Sequence, residues 1–131
     1  MVQILTVTNG TTLLRSGIAA LHDDGYRVTI YNVASVRDLR YAAPDLLIIA
    51  TDSPRAIHAS LAAIRDDALL HTLPVIVIGA SWDVFATLPV ALLANTVLLS
   101  EGVGALQDAT RMFVPTLVRT RRSVHHGHAV A

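Results

Sequence analysis

The run Leu46-Leu47-Ile48-Ile49-Ala50 constrains this chain more than any other stretch. It is opened by Pro44-Asp45 and closed by Thr51-Asp52-Ser53-Pro54, and nothing polar interrupts it. A strand with one wet face would alternate apolar and polar residues. An unbroken apolar run of strand length suits a strand covered on both faces, as in a parallel sheet held between helices. Ligands and reacting groups in such sheets gather at the carboxyl ends of the strands, so function is to be sought just beyond Ala50 and its counterparts.

Similar runs recur along the chain, each leading into a helical pattern, which predicts consecutive βα units. A first strand over Val2 to Thr8 leads through Asn9-Gly10 into a helix from Thr11 or Thr12 to about Asp24, with Leu13, Leu14, Ile18 and Leu21 as its inner stripe. Gly25 ends that helix. A strand at Arg27 to Tyr31 and a helix from Ser35 to Ala42 come next, the helix stopping before Pro44 because a residue preceding proline disfavours helical dihedrals. After the strand Leu46 to Ala50, Ser53 is positioned as an N-cap with Pro54 at the first helical position, and Ile57, Leu61 and Ile64 fall on one helical face. Strand four spans Val75 to Gly79. A short fourth helix carries Trp82, Phe85 and Leu88 and is interrupted or ended by Pro89, strand five is Thr96 to Leu99, and a last helix opened by Gly102-Val103-Gly104 presents Leu106, Ala109, Phe113 and Leu117, with a bend at Pro115. The expected domain covers residues 1–119, and residues 120–131, without apolar period, read as a flexible tail or the start of a linker.

The chain of 131 residues is 53% hydrophobic, enough for one core and too short for two. Lys plus Arg number 10 and so do Asp plus Glu. This balance gives no net field toward nucleic acid or an anionic membrane, and neither is expected as a partner. Cysteine is absent, which excludes disulfides, thiolate metal sites and cysteine nucleophiles, and the expected compartment is the cytoplasm. The start Met1-Val2-Gln3-Ile4-Leu5 lacks a signal-peptide pattern, and the apolar stretch Val84 to Leu99 is short for a bilayer and contains Pro89 and Asn95. All ten Lys-plus-Arg residues are arginine, so no lysine chemistry is available.

The segments Ile4-Leu5-Thr6-Val7, Gly25-Tyr26-Arg27-Val28, Pro44-Asp45-Leu46-Leu47-Ile48-Ile49, Leu73-Pro74-Val75-Ile76-Val77-Ile78 and Thr96-Val97-Leu98-Leu99, in this order and spacing, resemble the five strands of the bacterial response-regulator receiver domain (CheY-like). The resemblance covers residues 2–119. It implies an α/β three-layer sandwich with a five-stranded parallel sheet in the flavodoxin-like order 2-1-3-4-5. Receivers phosphorylate themselves on an aspartate, using two acidic residues and the acceptor to hold Mg²⁺, with a hydroxyl and a lysine to bind the phosphoryl group. Here the acidic pair maps to Thr8 and Asn9, the acceptor to Ala50, the hydroxyl residue to Gly79, the lysine to Ser100 with Glu101 in place of its usual proline, and the switch aromatic to Val97. The chain is therefore similar to the degenerate pseudo-receivers, which act through protein contacts without aspartyl phosphorylation. Neither catalysis, a cofactor nor a bound metal is expected.

Asp52 is the acidic residue that remains near the third strand end. It reads as a solvated loop or capping residue in preference to a displaced acceptor. Asn9-Gly10-Thr11-Thr12 lacks the glycine spacing and lysine of a P-loop, and His125, His126 and His128 lack the partners of a zinc site. The apolar residues around the fourth helix, Trp82, Val84, Phe85, Leu88, Val90, Leu92 and Leu93, exceed what one short helix needs. With Val97, Leu99 and Val103 they either fill the core or form a surface for a protein partner or a homodimer on the face of helix four, strand five and the last helix, the usual contact face of receivers. An alternative from another class is a flavodoxin-like domain that binds or converts a small molecule in the polar strand-end pocket.

Overall fold

The computed structural model describes residues 2–8, 12–31, 35–51, 53–78, 86–99 and 106–113. In chain order they form β1 (Gln3–Thr8), α1 (Thr12–Asp23), β2 (Arg27–Tyr31), α2 (Val36–Ala42), β3 (Leu46–Ala50), α3 (Pro54–Arg65), β4 (Val75–Ile78), a 3₁₀ turn (Val90–Leu93) and β5 (Thr96–Leu99). Helical backbone resumes at 106–113. The strands make one sheet in the order β2-β1-β3-β4-β5, and every pairing is parallel. This is the architecture that the apolar runs and their intervals imply.

Side-chain alternation along the strands divides the core in two. On one face Leu5, Leu47, Ile49, Val75 and Val77 pack with Leu39 of α2 and with Ile57, Leu61 and Ile64 of α3. On the other Ile4, Leu46, Ile48 and Ile76 pack with Leu21 of α1 and with Leu106 and Ala109. Every residue of β3 is buried, as an uninterrupted apolar strand requires. Gly17 lets the last helix lie close against α1, because a Cβ there would stand 2.8 Å from Leu106 Cδ2.

Local rules set the helix ends. Ser35 Oγ accepts from the Asp38 N–H while the Asp38 carboxylate accepts from the Ser35 N–H, a reciprocal cap on α2. Ala43 closes α2 with φ 46°, a left-handed C-cap made by alanine instead of the usual glycine. Ser53 caps α3 through Ala56 N, with Pro54 in the first turn. Asp45 anchors the start of the sheet, since its carboxylate accepts from Gln3 N at 2.7 Å while its own N–H donates to Gln3 O at 2.8 Å.

The 3₁₀ turn after Pro89 is a feature that the apolar pattern does not announce. Leu88, expected on an interaction surface, is 6% exposed, and Leu92 and Leu93 pack beside it against the α2/α3 core. Val97 and Leu99 lean on the opposite core layer. This part of the apolar surplus fills the space beside β4 and β5, so Leu88 is a core residue. Trp82, Phe85, Val103 and the tail at 120–131 lie outside the described residues.

Candidate functional site

The sheet register brings Thr8, Ala50, Ile78 and Leu99 into one row at the carboxyl ends of β1, β3, β4 and β5. Two of the residues singled out in the sequence, Thr8 and Ala50, are direct cross-strand partners. Thr8 is buried at 7% exposure and Ala50 at 3%. The Ala50 methyl packs on Ile18 of α1, with Val28 of β2 against the same pair. Asn9, Asp52, Gly79 and Ser100 lie outside the described residues.

This row does not suit Mg²⁺, which demands several oxygen ligands in near-octahedral order. Thr8 brings a neutral side chain, Ala50 brings a methyl group seated on an isoleucine, and Ile78 and Leu99 are hydrocarbon. Among the described residues no three of His, Asp or Glu cluster so as to hold a metal ion. Two cavities lined by described residues lie elsewhere. One of about 210 Å³ lies between α2 and α3, bounded by Val7, Val36, Ile49 and Ala63 on the sheet face opposite the Ala50 side chain. Another, of about 620 Å³, opens at the amino ends of the strands beside Pro44, Asp45, Pro74 and Asn95.

Polar organisation is concentrated at that amino end, where sequence reasoning placed no function. Arg65, the last residue of α3, donates from Nη1 to Leu73 O at 2.8 Å and His71 O at 3.1 Å, from Nη2 to Thr96 Oγ1 at 2.8 Å and from Nε to Leu92 O at 3.3 Å. Burial holds its guanidinium below the ordinary arginine value. Arg40 of α2 pairs with Asp67, whose carboxylate also accepts from the N–H groups of Leu69 and Leu70. The Arg40 hydrogen bond, helped by those N–H groups, holds the Asp67 carboxyl below the usual range against the opposing effect of burial. Both clusters bind loops to helices, and Arg40 also borders the cavity at the amino ends of the strands. Of the elements assigned to partner contact, the 3₁₀ turn has Val90 85% exposed and the last helix has Met112 73% exposed. Met112 is an apolar surface residue that the helical periodicity left unmarked.

Solved structures share this fold. A response regulator protein from Burkholderia multivorans superposes with a TM-score of 0.67 at 21% sequence identity, over 87% of this chain and 95% of that one. A putative response regulator from Chloroflexus aurantiacus superposes with a TM-score of 0.65 at 23% identity, over 88% and 97%. This chain has the receiver fold. No protein-family model and no curated protein matches the sequence, so the receiver fold is carried here by strand order and core pattern. Among its described residues no helix is long and apolar enough to cross a membrane.

Proposed function

We propose that this chain is a pseudo-receiver, a cytoplasmic signalling domain that works by contact with a protein partner or a second copy of itself, with neither aspartyl phosphorylation nor catalysis of its own. The observation that carries the reading is Ala50. At the end of the central strand, where a receiver needs a solvent-reachable carboxylate, stands a methyl group 3% exposed and packed on Ile18. A phosphoryl group could neither bond there nor be neutralised by a metal held beside it. Exposed Val90 and Met112, on elements that flank β5, support the face of helix four, β5 and the last helix as the place for a protein partner.

The deciding experiment is an amide NMR titration of the chain with Mg²⁺ and beryllofluoride, a mimic of aspartyl phosphate. The expected result is no saturable shift at Thr8, Ala50 or Ile78. Saturable shifts at these strand ends, or transfer of radiolabelled phosphate from acetyl phosphate, would overturn the proposal.

A further inference from the structure

Among the described residues β2 is an edge strand, paired only with β1 in the sheet order. The register runs without a bulge from Gln3↔Arg27 to Val7↔Tyr31. An edge of this kind presents a row of unpaired backbone donors and acceptors, and proteins normally blunt it with proline, lysine, a bulge or a covering element. The strand Arg27-Val28-Thr29-Ile30-Tyr31 has none of the first three. Its Ile30 is 53% exposed. Beside it, on the face that carries Arg27, Thr29 and Tyr31, a groove of about 370 Å³ runs along β1 and β2 past Ala42 and Pro44, because the short α2 stops before covering that corner.

The backbone phase of the strand selects an occupant. Arg27 N donates to Val2 O, so with the parallel register the N–H and C=O groups of Arg27, Thr29 and Tyr31 point toward β1. Those of Val28 and Ile30 therefore point outward. In an antiparallel pair, residues that exchange both hydrogen bonds alternate with residues that exchange none. A second β2 laid antiparallel about a two-fold axis through Thr29 puts Val28 opposite Ile30 and Ile30 opposite Val28, so that the outward groups form four mutual hydrogen bonds. Thr29 then faces Thr29 at a non-hydrogen-bonded position, and Arg27 faces Tyr31. Each pairing is favourable: β-branched against β-branched, threonine against threonine, and a guanidinium over a phenol ring.

We propose that the β2 edge is a self-association surface, through which two copies of this chain join their sheets antiparallel about Thr29. The contact is isologous and consumes the edge of both copies, so the assembly closes at two. It is separate from the face assigned above to a protein partner, and leaves that face open.

The absence of cysteine gives the test a clean background. Thr29→Cys places one thiol at the axis, where facing Cα atoms are ~4.5 Å apart, within disulfide reach. Arg27→Cys places its thiols four residues out of register, ~13 Å apart. Under mild oxidation of the full chain, Thr29→Cys is expected to cross-link into a dimer and Arg27→Cys is not. In sedimentation velocity the unaltered chain is expected to dimerise with concentration, Ile30→Lys to weaken the dimer ~tenfold or more, and Val90→Lys to leave it unchanged. A monomer at every concentration, equal cross-linking of the two cysteine variants, or a dimer lost with Val90→Lys but kept with Ile30→Lys would overturn the proposal.

Discussion

Arg65 Nη2 donates to Thr96 Oγ1 at 2.8 Å, joining the last residue of α3 to the first residue of β5. The same guanidinium holds the carbonyls of His71, Leu73 and Leu92, so one side chain ties together the α3–β4 connection, the 3₁₀ turn and the edge of the sheet. Arg65→Met is expected to lower stability by ~2–4 kcal/mol, because several charge-assisted hydrogen bonds are lost and their acceptors are left in a part-buried site. Arg65→Lys should recover less than half of this, since an ammonium cannot reach acceptors spread around a planar fork. Urea unfolding monitored by circular dichroism checks both variants.

Asp67 gives the fold an acid-sensitive joint. Its carboxyl titrates below the usual range in the folded state because Arg40 and two backbone N–H groups favour the charged form. A group with a depressed folded pKa contributes its stability above the unfolded value, and loses it as pH falls through the folded one. Asp67→Asn should therefore lower the melting temperature clearly at pH 7. The gap between variant and parent should narrow as pH drops below ~4. A gap of constant size down to strong acid would show that the carboxylate charge contributes nothing.

Thr6 is fully buried in β1, between β2 and β3, and its hydroxyl has no hydrogen-bond partner among the described residues. A buried hydroxyl left unpaired costs more than the methyl group that would replace it. Thr6→Val keeps the shape and the β-branch, and is expected to raise stability by ~1 kcal/mol. Thermal melts at several pH values would read the gain, which should be independent of pH.

An acceptor placed at position 50 should not bring aspartyl phosphorylation with it. Ala50→Asp would put a carboxyl group against Ile18 with no anionic ligand on Thr8 or Ile78 to share a metal ion. The expected outcome is a loss of ~1–3 kcal/mol from burying the new polar group and no uptake of phosphate from acetyl phosphate. Mass spectrometry of the intact chain after incubation with acetyl phosphate and Mg²⁺ measures the second effect directly.

The sheet was legible because its physics is sequential. A strand buried on both faces must be apolar throughout, and Leu46 to Ala50 is; a helix on a sheet must be apolar on one stripe, and Ile57, Leu61 and Ile64 are. Ser53-Pro54 announced the start of α3 because a cap works through neighbours in the chain. The apolar residues between Pro89 and β5 were ambiguous for the opposite reason. Whether Leu88 and Leu92 face a partner or the core depends on how the turn at Val90–Leu93 returns the chain toward the sheet. Arg65 left no signal because its acceptors are mostly backbone carbonyls, which every residue possesses. The left-handed cap at Ala43 was equally silent, since its residue type favours the right-handed region. At the strand ends the residue types of Thr8 and Ala50 could be read directly, but their cross-strand pairing and the seating of Ala50 on Ile18 required the fold.

β1 lies between β2 and β3, and no hydrogen bond joins those two strands to each other within the sheet order. Its reciprocal link with Asp45 fixes its start against β3. The first strand in the chain is thus a keystone: withdrawing residues 2–8 would divide the sheet into a lone β2 and a three-stranded remainder, each with a newly bared edge. A chain beginning after β1 should accordingly fail to fold alone and should be rescued by a synthetic peptide of that strand, making this fold a natural candidate for reassembly from two pieces.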